Sequence, residues 1–165
     1  MMCSLVFDYL VRQKVGGANI NTYIVKQIAV LSPEQFSSDI VTQILIRVAK
    51  LCYYNHDLDD WAEDLWNRMD DKQKQALPEI GAKTPYEYNV NDRAILQAEL
   101  DAIYARLYGL STEDLQYLLD PEDVCGPGCI NETFRVLKDN EIRQYGEYRT
   151  KRLVMEAWRR FGYDD

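Results

Sequence analysis

The apolar positions along the chain recur mostly at helical spacing. In residues 38–54, Ile40, Ile44, Val48 and Leu51 fall at i, i+4, i+8 and i+11, with Val41, Leu45 and Cys52 beside them. That spacing predicts an amphipathic helix. Residues 57–70 repeat the theme with Leu58, Trp61, Leu65 and Met69; Asp57 is placed to cap, and Asp59 and Asp60 suit a helix N-terminus. Residues 92–108 carry Leu96, Leu100, Ile103 and Leu107 on one face, with Gly109 where a C-cap glycine belongs. Ser111 with Asp114 forms a capping-box pattern, and Asp120-Pro121 stops the short helix it opens. Two last helices are expected at 131–144 and 146–161; Leu153, Val154, Ala157, Trp158 and Phe161 give the second an apolar face.

The rest of the pattern is less regular. Residues 4–14 (SLVFDYLVRQK) fit a short helix or a strand. Gly16-Gly17 breaks that segment, and Asn19 or Asn21 can cap a short helix after it. Ser32-Pro33-Glu34 opens another segment, and Pro78, Gly81 and Pro85 interrupt residues 78–90. The expected fold class is therefore mainly α, a small helical domain or bundle. A short β element near the N-terminus is the alternative for residues 4–14.

Composition agrees with a folded chain. Of 165 residues, 47% are apolar and 28% charged, enough for one sizeable core. No apolar run approaches the roughly 20 residues a membrane helix requires. The N-terminal stretch has no leading basic residues and contains Asp8, unlike an export signal. The expected location is cytoplasmic, with no membrane partner. Cys3, Cys52, Cys125 and Cys129 show no disulfide-framework spacing and are expected as thiols.

The net charge of −8 argues at first against nucleic acid, but its distribution changes that. Residues 1–54 hold five basic and three acidic residues, residues 55–123 six and seventeen, and residues 124–165 eight and seven. The excess negative charge sits in the middle, so a phosphate-facing surface would come from the ends.

Two segments there mix donors and aromatics. The first runs from Arg12 to Tyr23, where Arg12, Gln13, Lys14, Asn19 and Asn21 are side chains that reach phosphates and base edges. A polar turn between packed elements is the plainer alternative. The second runs from Arg143 to Lys151-Arg152, with Arg149, Lys151 and Arg152 within four positions. Its alternative is a helix start held by salt bridges.

Catalytic chemistry has less to stand on. Cys52 and His56 are spaced four apart, as are Cys125 and Cys129, so together they are a weak Cys3-His candidate for zinc. Free thiols, with Cys52 in the core, are the alternative. Asp70-Asp71-Lys72 matches the end of a nuclease-type acid-x-Lys pattern, but also an ordinary solvated helix end. His56 is the only histidine and is expected in a cap or turn. No dinucleotide or phosphate-loop fingerprint is present. No catalytic residue is assigned.

Three stretches carry a family resemblance. FDYLVRQKVGGANINTYIVKQIAVLSPEQF resembles the junction that ends the target-recognition domain of large bacterial adenine-specific DNA methyltransferases of restriction-modification and phage-defence type. LQAELDAIYARLYGLSTEDLQYLLDP resembles their following helical segment, and ETFRVLKDNEIRQYGEYRTKRLVMEAWRRF their terminus. The resemblance implies residues 1–36 as the end of a recognition-like segment and 37–165 as a helical C-terminal domain. It implies a non-catalytic portion that assists DNA binding or docking of the recognition domain. The family's S-adenosylmethionine and its Asn/Asp-Pro-Pro-aromatic base-binding loop would lie upstream; this chain has no Pro-Pro dipeptide. Expected partners are duplex DNA and a methyltransferase catalytic domain or restriction/defence subunit. The alternative is a helical interaction module without DNA contact, for which the twelve tyrosines are suited.

Overall fold

The computed structural model describes residues 1–15, 21–129 and 133–164. Its helices are α1 (Leu5–Lys14), α2 (Thr22–Val25), α3 (Ser38–Cys52), α4 (Asp59–Arg68), α5 (Asp71–Ala76), α6 (Pro78–Gly81), α7 (Val90–Leu107), α8 (Thr112–Leu119), α9 (Glu122–Cys125), α10 (Arg135–Tyr145) and α11 (Arg149–Arg160). Among the described residues there is no strand, so the fold is mainly α. Contacts group the chain into two units, Met1–Ser32 with Ala98–Asp165, and Pro33–Gln97. Contacts thus join the N-terminal segment to the C-terminal helices, with residues 33–97 as a unit of their own.

In the first unit, residues 4–14 form a helix rather than a strand because its start is capped twice. The Ser4 hydroxyl accepts the Phe7 N–H at 3.4 Å, and the Asp101 carboxylate, 96 positions away, accepts the Leu5 N–H at 2.8 Å. These satisfy amide donors that a helix end leaves open. Val6, Phe7 and Val11 are buried. The core joins Val6 to Leu115, Leu119, Phe134, Val154 and Trp158, with the small residues Ala98, Ala102 and Ala105 of α7 among them. Leu96, Leu100 and Ile103 lie on another side of α7, and Ile103 is also fully buried.

The expected helix ends are present. Gly109 has φ 79°, and the Leu110 N–H donates to the Ala105 carbonyl at 3.1 Å. That bond closes α7 with a left-handed turn that glycine adopts without strain. Ser111 and Asp114 form the capping box of α8.

The second unit packs Ala49, Tyr53, Ala62, Met69, Leu77 and Ile80 together. Here the predicted face of α3 is corrected. Ile40, Ile44, Val48 and Leu51 are only half-buried, while Thr42, Ala49 and the following Tyr53 are buried. Small side chains at Ala49 and Ala62 permit close approach. Thr42 is tolerated inside because its hydroxyl donates to the Ser38 carbonyl at 2.9 Å. Asp57 does not cap α4. It accepts from the Asn55 amide at 3.0 Å, and α4 begins without a side-chain cap.

Candidate nucleic-acid and docking interface

The C-terminal cations are drawn inward by a buried acid. Asp120, 3% exposed, follows α8, and its carboxylate receives the ammonium groups of Lys138 from α10 at 2.9 Å and Lys151 from α11 at 3.1 Å. Lys138 also meets Glu122 at 2.8 Å, and Lys151 meets Asp123 at 2.6 Å, both acids on α9. Burial by itself would raise the pKa of Asp120. The hydrogen bonds from Lys138 and Lys151 outweigh it and hold the carboxyl below its usual value. The result is an ionic clasp that joins the end of α8 to α9, α10 and α11.

The neighbouring cations are engaged too. Arg152 donates to Glu147 at 2.9 Å and to Glu156 at 3.0 Å. Arg149 lies 4.9 Å over the Tyr145 ring and has further interactions. Glu141 of α10 accepts the Thr150 N–H at 2.7 Å and its hydroxyl at 2.6 Å, which secures the start of α11. Beside this network the Tyr148 hydroxyl is buried with no hydrogen-bond partner among the described residues. Burial, then the charges of Glu141, Asp120 and Asp101, push its pKa up. Asp101 is raised to about 7, first by burial, against the opposing pull of the Leu5 N–H and the N-terminal ammonium.

The N-terminal candidates are placed differently. Arg12 pairs with Asp8 at 2.9 Å and lies 5.8 Å over the Phe134 ring. The Gln13 amide donates to the Thr133 hydroxyl at 3.3 Å. Lys14 is exposed in the last turn of α1. The end of α1 therefore meets the start of α10, where Arg135 is exposed in the first turn and no acid is present. Glu132, just before it in the chain, is outside the described residues. Asn21 is committed as the N-cap of α2, its side chain accepting the Ile24 N–H at 3.0 Å. Asn19 falls outside the described residues. Among the described residues, Lys14, Lys26, Arg135 and Arg159 make no ion pair.

No family model, curated protein or solved structure matches the chain.

The metal candidates are not assembled. Among the described residues no group of three or more His, Cys, Asp or Glu side chains is positioned to hold a metal ion. Cys52 and His56 belong to the 33–97 unit, Cys125 and Cys129 to the other. Cys52 is exposed at the end of α3, not in the core. The His56 Nδ1 lies 3.2 Å from both oxygens of Asp59. Asp70 caps α5 in a capping box with Gln73, and Lys72 pairs with Asp39 at 2.6 Å, so that acid-x-Lys stretch is used as a helix start. No helix among the described residues is long and apolar enough to cross a membrane.

Two features escaped the sequence. Arg135 drew no attention because it is an isolated cation near the start of a predicted helix. Arg93 lies 5.6 Å over Tyr54 and 4.6 Å over Tyr88, and it donates to the Leu51 carbonyl at 2.6 Å. Residues this far apart in the chain carry no periodic signal that they meet.

Proposed function

We propose that this chain is a non-catalytic, helical C-terminal portion of an adenine-specific DNA methyltransferase of restriction-modification or phage-defence type, and that it helps the recognition domain hold duplex DNA. The family part of the reading rests on the three sequence stretches. The observation that carries the DNA part is the meeting of Arg12-Gln13-Lys14 with Thr133-Phe134-Arg135. Two segments over 100 positions apart meet there, and Lys14 and Arg135, one on each, are exposed and make no ion pair among the described residues. Such cations would bind phosphates and leave sequence readout to the recognition domain. The second cationic segment has the opposite character. Lys151 is paired with Asp120 and Asp123 in the clasp, and Arg152 with Glu147 and Glu156 beside it, so neither is assigned to phosphate.

The test is anisotropy of a labelled duplex titrated with this chain across a salt series. Binding should weaken steeply with salt, and Lys14→Gln and Arg135→Gln should each lower the salt slope by about one. Lys151→Gln should leave the slope unchanged. No binding at low salt would overturn the DNA part. It would favour the second reading, a docking module without DNA contact, which the internal pairing of Lys151 and Arg152 supports.

A further inference from the structure

The end of α3 and the start of α7 meet through Arg93. Its guanidinium donates to the Leu51 carbonyl at 2.6 Å and lies 5.6 Å over the Tyr54 ring and 4.6 Å over the Tyr88 ring. The two rings meet edge to face, with centroids 5.5 Å apart. The backbone ties the same segments together, because the Tyr86 N–H donates to the Tyr53 carbonyl at 2.8 Å. Lys50, shortly before Tyr54 in the chain, lies 6.0 Å over the Tyr86 ring. The cluster is held in place yet open. Tyr54 is 45% exposed and Tyr88 57%, and Lys50 is exposed. All of it lies within the 33–97 unit. No role assigned above uses it.

Charge sets this cluster apart from its unit. Residues 33–97 hold twelve acidic and seven basic residues, and Arg68, Lys72 and Lys83 are each paired with an acid. Among the described residues Lys50 and Arg93 make no ion pair and rest on tyrosine rings instead. Cation and ring together suit a ligand that is both planar and anionic. We infer that Lys50, Tyr54, Tyr88 and Arg93 bind a short stretch of single-stranded nucleic acid. Unpaired bases stack on the exposed rings, which take any base because every base has a π-face. The ammonium of Lys50 and the remaining N–H donors of Arg93 meet the phosphates.

The neighbouring acids define what kind of strand fits. Glu87 and Asp92 are exposed beside Tyr88 and Arg93 in the chain. They repel a long phosphate tract, so the contact is short and led by stacking. Duplex DNA keeps its bases stacked inside and cannot offer them to the rings. The two cations without acids beside the rings favour a nucleic-acid strand over an apolar protein partner. This site is separate from the Lys14 and Arg135 surface, which belongs to the other unit.

The test uses the full chain carrying Lys14→Gln and Arg135→Gln, so that the cations proposed for duplex are gone and either reading can fail alone. Anisotropy of labelled oligothymidylate and oligouridylate would be followed at low salt. Both should bind, and the tighter of the two shows whether the strand is DNA or RNA. Unlabelled single strand should compete, and unlabelled duplex at equal nucleotide concentration should not. Adding Tyr88→Ala should weaken binding roughly 5- to 100-fold, whereas Tyr88→Phe, which keeps the ring, should bind as before. Adding Lys50→Gln should lower the salt slope by about 0.7. Lys50 and Tyr88 are exposed, so these variants should fold, and an unchanged urea midpoint would verify it. Unchanged binding by Tyr88→Ala, equal competition by duplex, or Tyr88→Phe as weak as Tyr88→Ala would each overturn the proposal. Absence of single-strand binding at low salt would overturn it in favour of a protein-docking role for the cluster.

Discussion

Replacing Trp158 with alanine should cost about 4–5 kcal/mol, at the upper end for a truncated buried aromatic. Trp158 is fully buried and belongs to the same core as Val6 of α1 and Leu115 of α8. Its indole N–H donates to the Thr112 hydroxyl at 3.0 Å, and Tyr163 packs edge-on with ring centroids 5.3 Å apart. Alanine would leave a large cavity and remove both contacts. A domain is commonly stable by only about 5–15 kcal/mol, so this loss would remove much of the unit's margin. Urea unfolding followed by far-UV circular dichroism would measure it. Trp158→Phe should recover most of the loss. If the alanine variant lost less than about 1 kcal/mol, Trp158 would not be the centre of this core.

Asp120→Asn should cost about 2–4 kcal/mol, because removing one member of a buried ion network leaves charges uncompensated. The figure is below that of a fully buried pair, since the Lys138 and Lys151 side chains are 20% and 24% exposed and keep Glu122 and Asp123. The pH dependence has a definite sign. The lysine hydrogen bonds hold the folded-state pKa of Asp120 below the usual carboxylate value, against the burial that would raise it. A depressed carboxylate contributes stability above its unfolded pKa and loses it as pH falls through the folded one. The difference in stability between wild type and Asp120→Asn should therefore be full at pH 6 and shrink below about pH 4. A difference that stayed constant down to pH 3 would contradict the clasp. Taking the difference also removes the contribution of Asp101, whose raised pKa acts with the opposite sign.

Regular elements were legible where periodicity and caps agreed. The α11 face, the Gly109 turn and the Ser111–Asp114 box could all be read because each signal is local and chemically specific. Face selection failed in α3. That helix carries more than one apolar stripe, and the choice of Ala49 over Val48 depends on which side a neighbour can approach closely. The joining of residues 1–32 to 98–165 was also invisible, since no local pattern shows that Asp101 will cap α1. For the candidate site, the cationic segments were found but their roles were not separable. Counting charge cannot show that Asp120, read only as a helix stop before Pro121, is buried and draws Lys151 inward. Nor can spacing show that Gln13 meets Thr133 and that Arg12 covers Phe134.

The most direct test of the central claim is methyl transfer by the native protein. An antibody against residues 92–161 would be used to precipitate it from the source cells. The precipitate would then be assayed for transfer of labelled methyl from S-adenosylmethionine to adenine in duplex DNA. The proposed function predicts adenine-specific transfer that precipitates with this region, on the same polypeptide or on a bound catalytic subunit. A precipitate containing the chain but no adenine methylation, from cells whose lysate does methylate adenine, would contradict it.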